Sequence, residues 1–123
     1  RASIKAMENP YVDILGHPGD PRYPIDVKEI VLTAKETGTL IEINNASLVP
    51  GGFRKGSEIV IEEILQYAMR YAVPIVLGSD AHFYTLIGEF SYCIDLLKKV
   101  DFPDELIVNT SVKQLKDSLK RNK

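Results

Sequence analysis

Apolar and polar positions fall in alternating blocks along this chain, short apolar runs followed by longer stretches with helical spacing. Tyr11–Gly16 reads as a strand that stops at His17-Pro18. Asp26 and Glu29 stand at capping-box spacing, with Asp in place of Ser or Thr. Val27, Ile30, Val31 and Ala34 follow at i, i+3, i+4 and i+7, one face of a helix, and Gly38 is a natural stop. Thr39–Asn44 reads as a second strand, and the Gly-rich stretch Asn45–Gly56, holding Pro50, as a loop. Ser57 is expected to cap a helix whose apolar stripe is Ile61, Ile64, Leu65, Ala68 and Ala72. Pro74 ends that helix and opens a third strand. A third helix is expected from about Gly88 to Lys99, with Phe90, Ile94 and Leu97 inward. Leu106–Asn109 reads as a short fourth strand. Ser111 and Gln114 form a capping box for a last helix, with Val112, Leu115 and Leu119 on one face.

This β-α-β-α-β-α-β-α order predicts an α/β fold with parallel pairing and right-handed crossovers. About four β/α units can make a small open sheet or half of a barrel, since a full eightfold barrel takes roughly 250 residues. Both architectures gather ligands at the C-terminal ends of the strands. The 123 residues suffice for one core, and 45% hydrophobic with 26% charged residues is ordinary globular composition. A formal net charge of −2 argues against a nucleic-acid partner, which needs clustered basic charge. The single cysteine, Cys93, excludes an intrachain disulfide and fits a reducing, cytoplasmic setting. No apolar run approaches the ~20 residues of a membrane span, so neither a membrane nor a leader segment is expected. The chain begins at Arg1, which suggests a fragment or a processed product.

The candidate chemistry gathers at those strand ends. The run Pro74–His82 is an apolar strand that closes on a polar tip with Asp80 and His82. In a strand, residues i and i+2 point the same way, so both are expected to reach one site. A carboxylate beside an imidazole suits zinc, manganese or iron. His17 follows the first strand, so both histidines of the chain fall at predicted strand ends, where Glu42, Asn44 and Asn45 close the second strand. Each has a plain alternative: His17 as a turn residue, Asp80 as a turn or cap carboxylate, His82 as a surface histidine. The three converge only if the sheet is parallel, which the helical stripes support independently. Arg54 and Lys55, in the Gly51–Gly56 loop before a helix start, suit a phosphate, against the alternative of a solvated basic turn. Arg22 is a second candidate phosphate contact. Glu89 reads as a first-turn helix carboxylate, Cys93 as a buried structural thiol and the basic end of the last helix as a complement to its dipole.

The runs ILGHPGDPRYPID, IEINNAS, FRKGSE and LGSDAH followed by GEF resemble the PHP (polymerase and histidinol phosphatase) metallophosphoesterases, in particular the YcdX-like branch. The resemblance covers nearly the whole chain from about Val12. It implies the C-terminal half of a distorted seven-stranded β/α barrel, so that residues 1–123 are part of one domain whose N-terminal half is absent. It also implies a centre of three metal ions, zinc or manganese (iron being the third candidate), that hydrolyses phosphomonoesters of small molecules. His17, Asp80 and His82 match three of the family's metal ligands, with Asp80 and His82 at the catalytic centre. The family's opening H-x-H motif and further ligands have no counterpart here, so the chain alone is expected to bind metal weakly and to lack activity. Exposed cut edges would favour a homo-oligomer or association with the missing half. Two alternatives remain: a non-catalytic interaction or regulatory module of the same fold, and a PHP segment associated with a DNA polymerase.

Overall fold

A computed structural model describes residues 2–21, 24–49, 56–81 and 88–120. Its elements run α1 (Ala2–Glu8), β1 (Ile14–Leu15), α2 (Val27–Thr37), β2 (Leu40–Asn44), α3 (Ser57–Tyr71), β3 (Ile75–Gly78), α4 (Ser91–Val100) and α5 (Val112–Ser118). Helix α2 starts and stops where the residue pattern demands. Asp26 accepts the Glu29 N–H at its N-cap (3.1 Å), and Gly38, at φ 76°, closes its C-terminus. Its stripe of Val27, Ile30, Val31 and Ala34 is buried.

Among the described residues the sheet has three strands in the order β1-β2-β3, all parallel, which is the α/β architecture expected. Leu40 pairs with Ile14, and Ile41 with both Leu15 and Ile75. Side chains alternate across β2. Ile41 and Ile43 join the larger core with Met7, Ile30, Val31, Ile61, Ile64, Leu65, Ile75, Cys93 and Leu96, the layer formed by the helices. Leu40 turns the other way and meets Val76 and Val108, over which Leu115 and Leu119 close. The second face is thus apolar at the N-terminal ends of the strands, while Glu42 and Asn44 carry it to the C-terminal ends.

Several elements differ from the sequence expectation. The N-terminal helix α1, which buries Met7, was not anticipated. The first strand is only Ile14–Leu15, and Tyr11 is exposed. Gly56, at φ 88°, takes the N-cap of α3, which moves Ser57 to the first helical position, where its Oγ is buried without a hydrogen-bond partner among the described residues. The expected fourth strand is a single parallel bridge, Ile75 to Ile107, flanked by 3-10 turns at Asp104–Leu106 and Val108–Thr110. The Asn109 side chain takes over from a longer ladder: it accepts the Leu77 N–H (3.0 Å) and donates to the Leu77 carbonyl (2.9 Å). In α4 the buried stripe is Cys93, Leu96 and Leu97. Ile94 is instead 43% exposed and lines, with Phe90, Leu97, Phe102 and Ile107, a groove of about 390 Å³ beside β3. The capping box of α5 forms, Ser111 Oγ accepting the Gln114 N–H (3.1 Å), but Val112 is 71% exposed and only Leu115 and Leu119 pack inward. Among the described residues no helix is long and apolar enough to cross a membrane.

Candidate metal and phosphate site

The parallel sheet brings the tips of β1, β2 and β3 to one end, as the placement of His17 and Asp80 requires. Both residues lie just past their strands. Among the described residues four non-glycine positions have positive φ: His17 (29°), Ala72 (55°), Asp80 (50°) and Asp101 (57°). Ala72 and Asp101 are the C-caps of α3 and α4, where the left-handed conformation is the usual helix ending. The remaining two are the two described candidate ligands. His and Asp tolerate this region better than most residues, and such backbone persists where the surroundings hold it, commonly at functional sites. The same observation corrects the strand argument. β3 ends at Gly78, so Asp80 stands on a left-handed turn beyond it, and strand alternation does not set its direction.

Glu42 sits between the two tips. Its Oε1 accepts the His17 N–H (2.8 Å) and a hydrogen bond from Asn44 Nδ2 (3.2 Å). Its other oxygen lies against Gly78, where a Cβ would overlap it. The carboxylate therefore links the turn after β1, the end of β2 and the end of β3. Sequence reasoning placed Glu42 at the strand end but gave it no part. The available signal was a lone charge inside the apolar run Leu40-Ile41-Glu42-Ile43, on the face opposite the main core.

Neighbouring asparagines hold the platform below. Asn45 N–H donates to the Gly78 carbonyl (2.8 Å), and Asn45 Oδ1 accepts the Cys93 N–H (3.0 Å), which docks α4 on the sheet. Asn44 Oδ1 accepts the Ser47 N–H (3.1 Å). Cys93 Sγ donates to the Ile43 carbonyl (3.4 Å). Burial, with the negative charge of Glu42 adding to it, pushes this thiol up to about 12, so Cys93 is the structural thiol expected. Glu89 accepts the Ser91 N–H (2.8 Å), and hydrogen bonds from Ser91 lower its pKa; it precedes the Phe90 N-cap of α4 and so is not the first-turn carboxylate expected.

The turn after β1 also reaches the start of α3. A Cβ at Gly19 would press on Ile61, and one at Gly56 on Pro21, so this turn is packed along the first turns of the helix. That places α3's N-terminus beside the His17 turn. His82, Arg54, Lys55 and Arg22 lie outside the described residues. The donors that are described, an imidazole and a carboxylate at strand ends, fit a divalent cation in kind. In number they fall short: among the described residues no three His, Cys, Asp or Glu side chains gather closely enough to hold one.

No family model matches the chain. It is similar over its whole length to the Probable phosphatase TTE1963 of Caldanaerobacter subterraneus subsp. tengcongensis, 45% identical over 123 residues, which are 100% of this chain and 48% of that protein. A Probable phosphatase of Acetivibrio thermocellus is 43% identical over 122 residues, 99% of this chain and 49% of that protein. The Probable phosphatase NT01CX_1282 of Clostridium novyi is 46% identical over 119 residues, 97% of this chain and 48% of that protein. The chain spans about half the length of the curated relatives it matches.

Proposed function

We propose that this chain is part of a metal-dependent phosphoesterase of the PHP type, supplying the C-terminal ligands of its centre. The observation that carries the reading is the similarity along the whole chain, at 43–46% identity, to proteins named probable phosphatases. The strand-tip placement of His17 and Asp80 on strained backbone supports it. In this reading residues 1–123 form the C-terminal part of a single β/α barrel domain in a cytoplasmic protein.

His17, Asp80 and His82 would hold zinc, manganese or iron, three ions in the complete centre. When bound, such ions activate water and offset the charge of a phosphate ester. Phosphomonoester hydrolysis forms a P–O bond from water, breaks the P–O bond to the substrate's alcohol, and releases that alcohol and inorganic phosphate. Arg54 and Lys55, with Arg22, would orient the phosphate oxygens through charge-assisted hydrogen bonds, beside the amides at the start of α3. The Glu42–Asn44 platform keeps the tips of β1 and β3 in register beneath the reacting group.

Three protein ligands are the number for one catalytic zinc, not for three ions. The 123-residue chain is therefore expected to bind metal weakly and to turn over no phosphomonoester by itself. β1 pairs only with β2 among the described residues and Ile14 is exposed, so this edge suits self-association or the remaining half of a full-length protein. The test is a titration of the purified chain with Zn²⁺ and with Mn²⁺, followed by a p-nitrophenyl phosphate assay. Binding that weakens in Asp80→Asn and in His17→Ala, without turnover, is the expected result. Absence of any difference between those variants and wild type would remove the metal reading. Metal-dependent turnover abolished by Asp80→Asn would show the chain to be complete.

A further inference from the structure

We propose that Glu42 is a positioning residue of this site: its carboxylate fixes the turn that carries His17 and so sets where the imidazole can stand. The inference rests on the metal-binding reading above and adds a residue outside its ligand set. Three observations converge on it. The His17 N–H donates to Glu42 Oε1 at 2.8 Å, across 25 positions of sequence. His17 has φ 29°, a conformation that an L-residue keeps only when its neighbours hold it. The second Glu42 oxygen occupies the space of a missing Cβ at Gly78.

Glycine weakens a strand interior and commonly marks the close approach of another group. Here the approaching group is a side chain from the neighbouring strand. Asn44 Nδ2 bonds the same Oε1 at 3.2 Å, so the carboxylate is held by two donors and by the open face of Gly78. Glu42 and Gly78 therefore act as a matched pair: the glycine leaves room, and the carboxylate uses it to reach β1. Glu42 touches His17 through the backbone amide, which leaves both imidazole nitrogens to other partners.

The experiment uses the 123-residue chain with Zn²⁺ or Mn²⁺ alone as probe, and four variants whose folding is checked by far-UV circular dichroism. Glu42→Gln keeps the acceptor oxygen and removes the charge. Glu42→Leu removes both. Gly78→Ala displaces the carboxylate, and Gly78→Ala with Glu42→Ala, which removes the whole side chain beyond Cβ, relieves the overlap. Metal affinity is expected to fall about 10–100-fold in Glu42→Leu, as for other residues that orient ligands, and to stay within about threefold of wild type in Glu42→Gln. Gly78→Ala should match Glu42→Leu in affinity, and the double variant should be better folded than Gly78→Ala without recovering binding. The His17 amide resonance supplies a second, metal-free readout: it should move and lose exchange protection in Glu42→Leu and stay protected in Glu42→Gln. Equal loss of affinity in Glu42→Gln and Glu42→Leu would make the charge itself the requirement and overturn the positioning role. Wild-type affinity and an unchanged His17 amide in Glu42→Leu would overturn it while leaving the metal reading intact. Absence of binding by the wild type would remove the metal reading and this role together.

Discussion

Replacing Asn109 tests how the open side of β3 is closed. Its side-chain amide imitates a peptide group, accepting the Leu77 N–H at 3.0 Å and donating to the Leu77 carbonyl at 2.9 Å. Asn109→Ala removes both bonds and returns the edge of β3 to water. At about 1 kcal/mol net for each bond, and with the site half-buried, the loss is about 2 kcal/mol. For a domain of this length that corresponds to a melting temperature lower by about 6–10 °C. Asn109→Asp separates the two bonds. The introduced carboxylate can accept the Leu77 N–H but faces the Leu77 carbonyl with a second negative oxygen. Its folded pKa is therefore raised, so the destabilisation is present at neutral pH and is relieved as pH falls through that raised value, where the protonated group donates again. The assay is urea unfolding followed by circular dichroism, with exchange of the Leu77 amide as the local probe. A midpoint for Asn109→Ala equivalent to less than about 0.5 kcal/mol, at unchanged m-value, would refute the idea that this side chain stands in for a strand.

Two further outcomes follow from other polar groups, one buried and one half-buried. Cys93, with its thiol raised from 9.0 to about 12, keeps its proton in the folded state where the unfolded chain has lost it. Stability should thus fall between about pH 9 and pH 12 by about 1.4 kcal/mol per unit, and the difference between wild type and Cys93→Ala should carry that slope; parallel curves would disprove it. Lys120 Nζ donates to the Met7 carbonyl (2.6 Å) and the Asn9 carbonyl (3.2 Å), where its charge meets the C-terminal end of α1. Lys120→Met should cost about 1 kcal/mol and speed amide exchange in α1 ahead of α2, and uniform exchange in both helices would count against this contact.

What the sequence made legible was local chemistry and periodicity. Asp26 and Gly38 mark the ends of α2 because side-chain capping and positive φ are properties of single residues. β2 and β3 are apolar runs too short for helices, and their parallel pairing follows from the helices between them. The errors fall where long-range packing decides. The apolar positions of α4 allow two stripes, and the Asn45 side chain bonding the Cys93 amide goes with the one through Cys93, Leu96 and Leu97. Leu106–Asn109 has strand composition, yet among the described residues it makes one bridge, with the Asn109 side chain bonding Leu77 beyond it. α1 is seven residues long, too short to announce itself without the core that buries Met7. At the site, residue types pointed to His17 and Asp80, while the part of Glu42 depends on its contact with the His17 turn, which no periodicity encodes.

The Lys120–Met7 contact has a consequence for biosynthesis. It joins positions separated by 113 residues, whereas α1's other neighbours, α2 and β1, lie close in sequence. During vectorial synthesis α1 can dock on α2 early, its Met7 carbonyl accepting the Thr39 hydroxyl (3.2 Å) and the Asn9 carbonyl the Val12 N–H (3.1 Å), while the lysine contact waits until residue 120 has cleared the ribosome. Closure of such a long loop is slow relative to local helix pairing. The last turn of α1 is then held by local partners first, and Lys120 adds a charged donor to it late.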